Sequence, residues 1–116
     1  MNLAKIIPLS MSLAFLFPSL ARSAGEITTM DTSWEEISIG QKECVRRAKM
    51  AIKNGGFAGG LVVVKNTSVF GDRGAYIASV RCFASKQMVF FVVAGPSADR
   101  VAEYRSVLES QFNLSQ

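Results

Sequence analysis

The 116-residue chain contains no histidine. That absence removes Ser-His-Asp and Cys-His catalysis, every zinc or haem site that needs an imidazole, and the usual switch near neutral pH. Cysteine is scarce, with two in the chain, and they are too far apart for a C-x-x-C redox pair. Glu35 and Glu36 are adjacent, so they do not read as a carboxylate pair facing each other across a substrate. Asp31, Glu35, Glu36 and Asp72 lack the ordered spacing of a calcium loop. Gly95-Pro96-Ser97 precedes a helical pattern, but no phosphate-loop lysine or glycine series accompanies it. The sequence therefore assigns no catalytic residue, no metal ligand and no cofactor, and is read as a non-enzyme.

What is present begins with an export signal. Lys5 precedes an apolar run from Ile6 to Leu20, and small residues follow it at a cleavage site after Ala21 or Ser23. The run is broken by Pro8 and Pro18 and is shorter than the roughly 20 residues that span a bilayer. Residues 1–23 are thus read as a signal peptide and the remainder as periplasmic or secreted. The net charge of +4 loses Lys5 and Arg22 with the signal. So small an excess does not specify a nucleic acid or an anionic membrane.

In an oxidising compartment, two cysteines read most simply as one structural disulfide, Cys44 to Cys82. It would close a loop of about 39 residues, which in the chain-entropy picture stabilises by roughly 4 kcal/mol.

Residues 24–37 show no sustained period and read as an irregular or partly extended N-terminal arm anchored by Trp34. Residues 38–116 form a single α+β domain. Ser38 and Gln41 fit a capping box, and Cys44, Val45, Ala48, Ala51 and Ile52 then share one helical face. Asn54-Gly55-Gly56 ends this helix, with Phe57 folding back on it. Three strands are predicted, over Gly60–Phe70, Ala75–Phe83 and Gln87–Ala94, with a turn at Gly71–Gly74 and a hairpin at Ala84–Lys86. Tyr76, Ala78, Val80 and Cys82 should face the core. A second helix follows Ser97 as N-cap, with Val101, Tyr104, Leu108 and Phe112 in one stripe. The predicted fold is an α-β-β-β-α two-layer sandwich, a three-stranded antiparallel sheet with two helices on one face.

This order resembles double-stranded RNA-binding domains in topology. Those domains set lysines at the start of the last helix, where this chain has Ser97-Ala98-Asp99-Arg100. No nucleic-acid partner is expected. The segments ECVRRA, SVFGDRGAYIASVRC and VFFVVAGP resemble a group of small exported bacterial single-domain proteins of uncharacterised function. The likeness covers most of the chain after the signal and implies no activity.

Two surfaces remain as contact candidates. Lys42, Arg46, Lys49 and Lys53 lie at i, i+4, i+7 and i+11, a cationic stripe on the first helix suited to an acidic partner. The alternative is a solvated face relieved by a Glu43–Arg47 pair. The third strand is apolar on both sides: Val89, Phe91 and Val93 alternate with Met88, Phe90 and Val92. Its second face needs a cover, and the arm around Trp34, a second copy in a homodimer, or a partner could each supply one. The functional expectation is an exported binding module with a protein partner in the envelope or outside the cell, of the inhibitor or immunity type. The alternative is a small-molecule or envelope-polymer binding protein.

Overall fold

The computed structural model describes residues 28–115. The expected signal peptide lies outside these residues. The elements are β1 (Thr29–Glu36), α1 (Gln41–Asn54), β2 (Gly59–Val64), β3 (Ser68–Arg73), β4 (Tyr76–Phe83), a 3-10 turn (Ala84–Lys86), β5 (Met88–Gly95) and α2 (Ala98–Leu114). The fold is α+β, as expected, but the sheet has five antiparallel strands rather than three, in the order β1-β5-β4-β3-β2.

Both extra strands have a physical origin. The arm is a full strand rather than an irregular or partly extended segment over Thr29–Glu36: it pairs along the whole of β5, from Thr29 opposite Gly95 to Glu36 opposite Met88. Its helix-facing side is polar, so it lacks the usual apolar-in signature. Asp31 and Ser33 meet Arg105, Ser33 and Arg105 both bond Glu109, and Asn113 donates to Glu35, all on α2. The other addition comes from a tight turn. Lys65 and Asn66 both take left-handed backbone (φ 53° and 51°), and Thr67 N–H closes the turn on the Val64 carbonyl at 3.0 Å. Two consecutive positive φ values are the primed hairpin turn, for which this pair of residues is a weak signal. One predicted strand thereby becomes β2 and β3. The next turn is correspondingly shorter, because β3 runs through Arg73 and only Gly74 and Ala75 reverse the chain.

α1 begins at Gly40 without a side-chain cap, so the Ser38–Gln41 capping box does not form. Gln41 has other partners: its amide nitrogen donates to the carbonyls of Asn66 (2.8 Å) and Cys82 (2.9 Å), and its Oε1 accepts from Ala84 N–H. It clamps the helix start to the β2–β3 turn and to the end of β4. The C-terminus closes as expected, with Phe57 N–H bonded to the Ile52 carbonyl at 2.9 Å and the Phe57 ring buried. Ser97 accepts from Arg100 N–H and caps α2.

The core lies between the sheet and both helices. Cys44, Ala48, Ala51 and Ile52 of α1 and Val101, Leu108 and Phe112 of α2 meet Ala78, Val80, Val89, Phe91 and Val93. Cys44 and Cys82 are disulfide-bonded with Cα atoms 6.0 Å apart, as predicted. Edge-to-face ring pairs link Phe57 and Tyr76 to Tyr104, and Phe91 to Phe112. No described helix is long and apolar enough to cross a membrane.

β5 lies between β1 and β4, consistent with its apolar character on both sides. The arm does not cover its second face. It extends the sheet instead, and Trp34 is 56% exposed on that face, opposite Phe90.

Replacing Cys44 and Cys82 together by alanine should lower unfolding free energy by about 2–4 kcal/mol in urea titrations. Gly71→Ala tests the closest backbone contact, since a Cβ there would sit 2.0 Å from the Phe57 carbonyl oxygen. It should cost at least about 2 kcal/mol, and thermal unfolding will read it.

Candidate functional site

The predicted cationic stripe is a real surface of α1. Burial of Cys44, Val45, Ala48, Ala51 and Ile52 turns the opposite flank outward, and Lys42, Arg46, Lys49 and Lys53 are all exposed on it. The disulfide at Cys44 and the Gln41 clamp hold this helix end against β4, which fixes the direction in which the stripe faces.

The four cations are not equivalent. Arg46 donates to both Glu43 carboxylate oxygens (2.8 and 2.7 Å) and to the Ser115 carbonyl at 2.7 Å, tying α1 to the end of α2. Arg47 also donates to Glu43, at 2.9 Å, so the expected Glu43–Arg47 pair is one half of a fork. The hydrogen bonds from Arg46 first and Arg47 second lower the Glu43 pKa to about 2. Lys42, Lys49 and Lys53 make no ion pair among the described residues. The charge available to a partner is therefore carried by these three lysines.

Two shallow depressions adjoin along this flank and share Lys49. One, of about 660 Å³, is lined by Lys42, Val45, Arg46, Lys49 and Asn66 among others. The other, of about 430 Å³, is lined by Lys49, Met50, Lys53, Ala58 and Leu61. The trough thus has cations along it and an apolar end at Met50 and Leu61, where it meets β2. Every residue of β2 is exposed, and β2 is an edge strand with one row of backbone groups unpaired within the sheet. The apolar contributors escaped the sequence reading because Met50 and Leu61 adjoin only once the helix lies beside the sheet edge. The run Leu61-Val62-Val63-Val64 belongs to the predicted strand Gly60–Phe70, to which the sequence assigns no buried or exposed face.

The structure separates other candidates. Glu35 faces α2, while Glu36 occupies the opposite face, as successive strand residues must. Among the described residues, no group of three or more Cys, Asp or Glu side chains is placed to hold a metal ion. The chain matches no protein-family model and no curated protein.

The Glu43 fork predicts a specific titration. Its folded pKa is lowered, so its contribution to stability is complete above the ordinary carboxylate range and is lost as pH falls toward 2. Carboxyl NMR should place the Glu43 midpoint near 2, and Arg46→Ala should move it upward more than any other single change in this cluster.

Proposed function

We propose that the protein is an exported, non-catalytic binding module that engages a protein partner in the periplasm or outside the cell, in the manner of an inhibitor or immunity-type protein. The reading is supported by one observation above all: three lysines without ion-pair partners among the described residues line one trough that ends on apolar groups and a free strand edge. Exposed cations steer an acidic partner and fix its register, whereas desolvated apolar contacts supply the durable part of an interface. The segment that fits is acidic at one end and apolar at the other, laid along α1 with its apolar part on Met50 and Leu61. Export is supported by the signal pattern of residues 1–23 and by the disulfide, which belongs to oxidising compartments.

The test is capture from an envelope extract by the wild-type protein and by a Lys42→Glu/Lys49→Glu/Lys53→Glu variant. All three positions are exposed, so the melting temperature should shift by no more than a few degrees. A protein retained by the wild type, released by raised salt and absent from the variant is the expected result. Identical recovery by both removes the trough from the interface. Recovery of an anionic polysaccharide instead of a protein would establish the alternative, an envelope-polymer binding protein.

A further inference from the structure

The face of the sheet opposite the helices belongs neither to the core nor to the lysine trough, and its composition is unusual for a surface in water. β1 shows this most clearly. Its polar residues Asp31, Ser33 and Glu35 turn toward α2, so its large apolar residues Met30 and Trp34 turn outward, 66% and 56% exposed. The register is held by the Arg105–Asp31 ion pair at 2.7 Å, and a slip of one residue would exchange the two sets. Ile77 and Val62, on β4 and β2, are 55% and 49% exposed on the same face.

The rows of this face follow from strand pairing. Thr32, Val92, Ser79, Phe70 and Val62 run across its middle. Trp34, Phe90, Arg81 and Ser68 form the next row on one side, and Met30, Ala94, Ile77 and Asp72 form the next on the other. Ser79 lies at mid-strand on β4, the central strand. Its hydroxyl is buried without a hydrogen-bond partner among the described residues, which is costly for a polar group.

We propose that this face is the interface of a homodimer, two copies packing sheet on sheet about a two-fold axis that runs along the Ser79 row. Such an axis places each copy's upper row on the other's lower row. Phe90 then meets the small Ala94 of the second copy, and Trp34 meets its Met30, a favourable sulfur–aromatic pairing. Arg81 falls over Ile77 beside Asp72 of the second copy, so the face's one cation and the anion in the opposite row neutralise each other.

Size is sufficient. Five strands about 4.8 Å apart and about seven residues long cover roughly 550 Å² per copy, or about 1,100 Å² in all, which clears the roughly 1,000 Å² expected of a specific interface. A second copy is favoured over a foreign partner because the rows complement each other in bulk and in charge. This interface is independent of the lysine trough.

The experiment is sedimentation equilibrium on the protein expressed from the full chain, with its N-terminus read by intact mass, between about 1 and 200 µM. A species of twice the monomer mass is expected within this concentration range. Ile77→Glu, at an exposed position, should weaken it at least 100-fold while the circular dichroism of the monomer stays unchanged. Arg81→Asp and Asp72→Arg should each weaken it about tenfold, and the two together should restore it. Within one chain, Arg81 is four residues along β4 from Ile77, the partner of Asp72, about 13 Å away, so restoration reads contact between copies. A monomer at every concentration overturns the proposal. If that monomer retains residues 1–23, the face passes to their apolar run. A dimer indifferent to Ile77→Glu places the contact elsewhere, and failure of the double variant to recover overturns the two-fold axis.

Discussion

Two helices pack on the same face of the five-stranded sheet and leave β2 exposed at its edge, so the central strands are divided into an inner and an outer set of side chains. Ala78, Val80 and Cys82 take the inner side of β4, leaving Ser79 and Arg81 outside. β5 repeats the division with Val89, Phe91 and Val93 inside. The disulfide adds a covalent tie across this one-sided core, joining the first turns of α1 to the last residues of β4. Because Cys44 and Cys82 are fully buried, the bond also fixes which flank of α1 is free.

That fixed flank explains why the lysine trough is a definite surface. Lys42, Lys49 and Lys53 follow from helical spacing, but their separation from Arg46 does not. Arg46 is drawn into the fork with Glu43 and onto the Ser115 carbonyl, so it serves the joint between the helices. Gln41 has a comparable structural task at the other end, where it holds the helix start to both the β2–β3 turn and β4. The charge stripe is thus divided between internal cohesion and outward display by contacts between elements distant in sequence.

β1 is the counterpart on the far edge. A strand that buries polar groups against a helix must satisfy them, and Arg105, Glu109 and Asn113 do so. The consequence is an inverted strand, with tryptophan and methionine toward solvent. Together with Ile77 and Val62 it gives the outer face exposed apolar side chains from edge to edge, set among polar ones, while the trough on α1 remains cationic. One small domain therefore presents two surfaces of different chemistry on opposite sides of the sheet, each able to serve a different contact.

Local chemistry was legible in the sequence. The buried faces of both helices, the glycine-closed end of α1, the Ser97 cap, the β4–β5 hairpin and the only possible disulfide all depend on residues within a few positions of one another or on a pairing with no alternative. What the sequence could not reveal depended on partners far along the chain. β1 is a strand because β5 and α2, more than 50 residues away, supply its backbone and side-chain partners. The Lys65–Asn66 turn forms because β2 and β3 gain from pairing, overriding a weak local preference. Gln41 leaves the capping box because two carbonyls and an amide from other elements offer better partners than the helix start. Short-range periodicity encodes which face of an element is apolar; only the assembled sheet determines whether that face is buried, and here it left Trp34 in the open.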